Sequence, residues 1–144
     1  MRTAWHHAFP GFRPWSLKHY SSEVLKNYKL TDRQAPFAII GDFNADGVLD
    51  VVIDGRSSSH IFHLCILSQG DGFRVLQLNR AKLYRPELWS SMYLAYVPPG
   101  TYRSPFERNP LRLLTDAFEV IVDERASTIV YLRNGVFQNY TTGD

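Results

Sequence analysis

The chain has 144 residues, of which 44% are hydrophobic and 21% charged, and its formal net charge is +2. This length suits one domain, and a chain of this size buries enough surface to fold without a disulfide or a metal. Basic and acidic residues are mixed along it, which gives no electrostatic footprint for nucleic acid, since that would need a clustered basic face.

The first 34 residues are predicted to form an arm followed by one short helix. Residues 1–15 are rich in aromatic residues, proline and glycine and show no helical or strand period, which indicates an extended arm. Four large aromatic side chains of this arm are expected to pack onto the body: Trp5, Phe9, Phe12 and Trp15. A helix is predicted over residues 16–28, with Ser21 or Ser22 as its N-cap.

Residues 35–144 are predicted to form a mainly β domain, an antiparallel meander of hairpins. Strands are expected at residues 36–40, 49–53, 61–67, 73–78, 118–123, 128–132 and 136–140. Glycines in the segment 68–72 and the pair Asn134-Gly135 favour two tight hairpin turns. Residues 98–110 contain four prolines and one glycine and are predicted to be a long loop.

The segment between the first two strands of this domain has the pattern of a calcium-binding loop. Calcium takes six to eight oxygen ligands, which a short loop supplies when oxygens recur at alternate positions. Asp42, Asn44 and Asp46 provide such side chains, and a glycine follows where the backbone must bend sharply. Val48 would contribute its backbone carbonyl, and Asp50 would close the coordination sphere. An all-oxygen ligand set favours calcium.

The charges of this loop support the same interpretation. Three carboxylates within a few ångströms repel one another, and a divalent cation would turn that repulsion into attraction. The alternative is a solvated turn, which is the usual role of Asp, Asn and Gly in a loop. The loop is not an EF-hand, because Ile53 stands where that motif has a bidentate glutamate.

Residues 38–55, AIIGDFNADGVLDVVIDG, resemble the signature of the FG-GAP/VCBS repeat family. That signature is a strand, then Gly-Asp-Phe-Asn-x-Asp-Gly-x-x-Asp, then a second strand. The resemblance implies that the loop binds Ca²⁺ between two strands, with these ligands: Asp42, Asn44, Asp46, the Val48 carbonyl and Asp50. The motif occurs once, so the resemblance implies a stand-alone relative of the repeat rather than a propeller.

Two other functions remain open from the residues. An interaction module would bind a polysaccharide or a partner protein through exposed aromatic side chains, for which the ligand-binding candidates are Trp89, Tyr93 and Tyr96. Tyr102 and Phe106 belong to the same aromatic set. A hydrolase would need a pair of carboxylates, for which the candidates are Asp116, Glu119, Asp123 and Glu124. The leading hypothesis is a non-enzymatic domain in which calcium is structural.

The cellular compartment of the protein is indicated only by the resemblance to the FG-GAP/VCBS family. No stretch approaches the roughly 18 apolar residues of a membrane-spanning helix, and the N-terminus lacks the apolar core of a signal peptide. The single cysteine, Cys65, lies in an apolar run and is expected to be a buried thiol. The FG-GAP/VCBS resemblance implies a bacterial protein that is periplasmic or secreted.

Overall fold

The computed structural model describes residues 5–83, 90–122 and 126–143. It is mainly β, with 54% of the described residues in strands and 10% in helices, which confirms the predicted fold class. The described residues include two short α-helices where one was predicted, α1 (Trp5–Ala8) and α2 (Ser22–Asn27). None of the helices within the described ranges is long and apolar enough to span a membrane.

The strands form antiparallel sheets. The first sheet has the order β2–β3–β4–β5–β6, and β1 also pairs with β4. Its strands are β1 (Arg13–Pro14), β2 (Gln34–Ala35), β3 (Ala38–Gly41), β4 (Asp50–Arg56), β5 (His60–Gln69) and β6 (Gly72–Lys82). The second sheet has the order β12–β11–β10–β7, and β8 pairs with β9 in a small ribbon. These strands are β7 (Met92–Val97), β8 (Gly100–Tyr102), β9 (Leu111–Leu113), β10 (Ala117–Val122), β11 (Ala126–Arg133) and β12 (Val136–Gly143).

The main core lies between the two large sheets. Side chains from β3, β4 and β5 meet side chains from β7, β10 and β11 in one buried cluster: Ile39, Phe43, Val52, Cys65, Leu67, Leu94, Phe118, Val120 and Val130. The thiol of Cys65 is fully buried there, as predicted. Successive side chains of a strand point to opposite faces. Each large sheet therefore also has an outer face, whose apolar side chains must be covered from solvent.

The N-terminal arm covers the outer face of the first sheet. Phe12 is buried against Phe62 and Leu64, and Trp5 and Phe9 pack on the same cluster. Trp15 is buried beside Tyr20 and Ile61. The prediction that the arm packs onto the body is therefore confirmed. Because both faces of the first sheet are covered at β5, the sequence of this strand is an almost continuous apolar run and does not alternate.

The predicted helix over residues 16–28 is wrong in its extent. The chain makes a 3₁₀ turn (Leu17–His19), and Tyr20 then adopts an extended conformation with φ −109° and ψ 149°. The α-helix that follows is capped by Ser21, whose hydroxyl accepts the N–H of Val24 at 3.2 Å. The helix is interrupted because the Tyr20 ring is buried and its hydroxyl bonds to a buried side chain of β4.

The region 92–113 also differs from the expectation of a long loop. Strand β7 was not predicted, and it forms the edge of the second sheet beside β10. Gly100 and Tyr102, which lie in the proline-rich segment, pair with Leu113 and Leu111 directly after it. This ribbon covers the outer face of the second sheet, where Leu111 and Leu113 are buried.

The two predicted hairpin turns are present. Asn134 (φ 54°) and Gly135 (φ 75°) both have positive φ and connect β11 to β12. The second turn, between β5 and β6, contains Gly70 at φ 51°. The division of the chain into an arm (1–34) and a β domain (35–144) stays a prediction.

Candidate functional site

The candidate calcium loop connects β3 to β4 in the first sheet. Gly41 and Asp50 are paired across the two strands, so the residues between them form a closed loop at one end of the sheet. Phe43 is buried in the main core, whereas Val48 and Leu49 are exposed. The loop is therefore anchored by one aromatic side chain, and residues 45–49 are exposed to solvent.

Side-chain oxygens inside the loop are bonded to its own backbone. The N–H of Asp46 is donated to Asp42 Oδ1 at 3.1 Å and to Asn44 Oδ1 at 3.3 Å. The N–H of Gly47 is donated to Asp42 Oδ2 at 2.8 Å, and Asp46 Oδ1 accepts the N–H of Val48 at 2.8 Å. Oxygens from Asp42 and Asn44 thus converge on one point of the backbone.

The sharp bend predicted at Gly47 is present. Its φ is 83°, a conformation that side chains other than glycine rarely adopt. Ala45 also has a positive φ of 61°. These two positions allow the backbone N–H groups to turn inward toward the side-chain oxygens.

Asp50 lies beneath the loop and is 2% exposed. Its Oδ2 accepts the N–H of Phe43 at 2.9 Å, and its Oδ1 accepts the N–H of Ser68 on β5 at 2.8 Å. Burial raises the pKa of Asp50, against the opposing effect of these two bonds, and the charges of Asp46 and Asp42 raise it further. The three carboxylates of the loop are therefore electrostatically coupled.

Some features of this loop suit a metal ion and others do not. Its donors are all oxygens, and a carboxylate oxygen that accepts one N–H keeps a second lone pair. Within residues 5–83, 90–122 and 126–143, however, no three His, Cys, Asp or Glu side chains are gathered into a ready-made metal site. The structure brings Asp42, Asn44 and Asp46 into one hydrogen-bonded set and holds Asp50 separately between Phe43 and Ser68.

Asp116 supports the loop from the second sheet, which the sequence did not predict. Its Oδ2 accepts the N–H of Asp42 at 2.8 Å and lies 3.4 Å from Nη1 of Arg33. Its Oδ1 accepts the hydroxyl of Tyr96 at 2.6 Å. Asp116 is thus engaged in joining the two sheets at the start of the loop.

The aromatic residues proposed for ligand binding are in different surroundings. Tyr96 is held by Asp116 and by the guanidinium of Arg33 over its ring; burial and the bond to Asp116 raise its pKa to about 12. Tyr93 lines a cavity of about 270 Å³ between α2 and β7, where it packs edge-on against Tyr28. Trp89 lies outside the described residues.

The remaining aromatic candidates and the described carboxylate candidates for a hydrolase also lie in separate places. Tyr102 packs on the cluster beneath the β8–β9 ribbon, and Phe106 is half exposed. Glu119 accepts the hydroxyl of Thr142 at 2.7 Å. Asp123 and Glu124 lie outside the described residues, so the carboxylate pair considered for a hydrolase stays untested.

The structure contains a buried polar cluster that was not predicted from the sequence. Asp54 on β4 and His63 on β5 are paired across the strands, and both are fully buried. The hydroxyls of Tyr20 and Ser90 donate to Asp54 Oδ2, each at 2.8 Å. Asp54 Oδ1 and His63 Nε2 lie 3.4 Å apart, and Asn79 bonds the other ring nitrogen of His63.

Burial dominates the ionisation of this pair. It raises the pKa of Asp54 to about 7, although the bonds from Ser90 and Tyr20 oppose the shift, and it lowers the pKa of His63 to about 4. The signal in the sequence was a titratable residue in each of two apolar runs, since buried polar groups in strands need partners. The partners come from distant segments, which the pattern of one strand does not reveal.

The chain matches no protein-family profile, no curated protein and no solved structure. Fold and geometry together define a mainly β protein with an acidic loop between two antiparallel strands. The functional argument therefore depends on the residues of this chain.

Proposed function

We propose that this chain is a small calcium-binding β domain of the FG-GAP/VCBS type, in which the ion has a structural role. The residues that would hold it are Asp42, Asn44, Asp46 and Asp50 through their side chains and Val48 through its carbonyl. The observation that carries the proposal is the convergence of Asp42 Oδ1 and Asn44 Oδ1 on the Asp46 N–H, at 3.1 and 3.3 Å.

The charge of the loop favours a divalent cation. Asp42, Asp46 and Asp50 place three carboxylates in one short loop; burial is the main cause of the raised pKa of Asp50, and the charges of Asp46 and Asp42 raise it further. A calcium ion would reduce their summed charge to about −1. Hard, flexible oxygen coordination suits Ca²⁺ better than Mg²⁺, which demands a near-octahedral geometry.

Calcium at this position would stabilise the contact between the β3–β4 hairpin and β5 in the first sheet. The loop is closed by β3 and β4, and β5 contacts it through Ser68, whose hydroxyl donates to the carbonyl of Leu49 at 2.9 Å. Extracellular modules bind calcium with dissociation constants of about 10⁻⁴ to 10⁻³ M. A site of that affinity suits the periplasmic or secreted location that we propose with it.

Thermal unfolding in calcium and in EDTA tests this proposal. At a calcium concentration of about ten times Kd, linkage adds ~1.4 kcal/mol to the free energy of unfolding. For a chain of this length that raises Tm by ~3–5 °C. Magnesium at the same concentration is expected to have a smaller effect.

Two variants separate loop binding from a general effect of calcium. Asp46→Asn removes one charge but keeps an oxygen for the Val48 N–H, so it is expected to fold and to lose most of the calcium shift. Asp71→Asn changes an exposed aspartate in the β5–β6 turn and serves as the matched control. An equal calcium shift in wild type and both variants would place the ion elsewhere.

One observation favours a second function, an interaction module for a polysaccharide or a protein. Tyr93, one of the three ligand-binding candidates, lines the cavity between α2 and β7 together with Tyr28. NMR titration with cellohexaose tests this function, since stacking of a sugar on the rings would shift the amide signals of β7. Unchanged signals at millimolar sugar would reject a glucan ligand.

A further inference from the structure

A second cavity, of about 240 Å³, lies beside the candidate calcium loop. Four separate segments from both large sheets border it: the loop itself, the β5–β6 hairpin, the segment before β10 and the β11–β12 turn. Binding sites commonly form where loops from a rigid scaffold meet. At this volume the cavity suits one small ring, since it is below the range of drug-sized pockets.

The wall of this cavity combines an apolar floor with a polar rim. Buried or half-buried side chains of Phe43, Leu67 and Leu132 form the floor. The rim carries Asn44, Gln69, Arg74, Thr115 and Asn134. An apolar face surrounded by amides and one guanidinium suits a ligand with a hydrocarbon face and several hydroxyls.

Three rim side chains are unengaged. Among the described residues, Gln69, Arg74 and Asn134 make no side-chain hydrogen bond or ion pair. Amide groups offer both donors and acceptors to hydroxyls, and a guanidinium binds a carboxylate through two parallel bonds. Arg74 is also the one charged residue among the described residues that line the cavity, so a carboxylate bound there would have Arg74 as its charged partner.

We propose that this cavity binds a hexuronic acid, with Arg74 holding the carboxylate and Gln69 and Asn134 holding hydroxyls. This inference goes beyond calcium binding and does not require the ion, although Asn44 borders both sites. A neutral hexose would leave Arg74 without its charged partner, so the affinity for it is expected to be about tenfold lower.

The test is calorimetric titration with D-galacturonate and, in parallel, with methyl galactoside. The wild-type protein is expected to bind galacturonate with a millimolar dissociation constant and the neutral sugar about tenfold more weakly. Arg74→Gln is expected to lower the affinity for galacturonate about tenfold, because it removes the charge and the paired donors. Arg112→Gln, an exposed arginine on β9 that does not line the cavity, is the matched control and is expected to bind like wild type.

Repeating the titration in EDTA separates this inference from calcium binding. Galacturonate binding that persists in EDTA and is lost in Arg74→Gln would support the inference whether or not the loop binds calcium. Binding that requires calcium and survives Arg74→Gln would contradict it, since the ion itself would then bridge protein and sugar. Absence of binding at millimolar concentrations, or equal affinity for the two sugars, would also overturn it.

Discussion

At the scale of single residues, Asp54 and His63 face each other with one proton to share. Their pKa values in the folded protein are about 7 and about 4, whereas the ordinary values are 3.8 and 6.5. In both the folded and the unfolded chain, the pair therefore holds one proton between about pH 4 and pH 6.5. Because linkage depends on the difference in bound protons, this pair adds little pH dependence to the free energy of unfolding.

Single variants of the pair are expected to show opposite pH dependences. In His63→Gln, Asp54 keeps its raised pKa, so its contribution to stability is present at pH below 3.8 and is lost as pH rises through about 7. In Asp54→Asn, His63 keeps its lowered pKa, so stability increases as pH rises from about 4 to about 6.5. Each slope is at most ~1.4 kcal/mol per pH unit.

Urea unfolding between pH 4 and pH 7.5 measures these slopes as differences from wild type. Taking differences removes the contribution of the other carboxylates, which all three proteins share. Parallel difference curves for the two variants would contradict the account of a shared proton.

At the scale of elements, the N-terminal arm depends on one close approach to β4. Strand β1 pairs with the end of β4 and places Pro14 opposite Gly55. A Cβ on Gly55 would lie 2.6 Å from the carbonyl oxygen of Arg13 and 2.5 Å from Cε2 of the Phe12 ring. Distances this short force either the arm or the strand to move.

Gly55→Ala is therefore expected to destabilise the protein by about 1–3 kcal/mol and to loosen the arm. Gly11→Ala is the control, since its Cβ would meet nothing within 4 Å. Urea unfolding measures the stability, and the fluorescence of Trp15, the last residue of the arm and 3% exposed, reports whether the arm detaches. Equal stability of the two variants would show that the arm does not need this contact.

The predictable elements of this fold were those specified locally. The Asn134-Gly135 turn follows from two residues that tolerate positive φ, and the strands around residues 42–50 follow from apolar runs beside a polar loop. Strand β7 was missed because Met92–Val97 shows no clear alternation, and its position depends on pairing with β10. The β8–β9 ribbon was missed because prolines favour a loop and its strands pair across an intervening segment.

At the scale of the whole molecule, polar contacts join segments that are far apart in sequence. Asp116 connects the second sheet to the start of the candidate loop, and Asp54 connects the region after the arm to the segment before β7. Such contacts depend on strand register and sheet packing, which the pattern of one segment does not encode. The loop could thus be proposed as a site from its sequence, whereas its support by Asp116 and Ser68 could not.

The central claim is that the loop 42–50 binds calcium, and an NMR titration of the ¹⁵N-labelled protein with calcium chloride tests it most directly. The N–H groups of Asp46, Gly47 and Val48 are bonded to the oxygens that would hold the ion, so their signals report on it. The account predicts that these signals shift together and saturate at one calcium per chain, with a dissociation constant of about 10⁻⁴ to 10⁻³ M. Signals in the loop that remain unchanged at several millimolar calcium would contradict it.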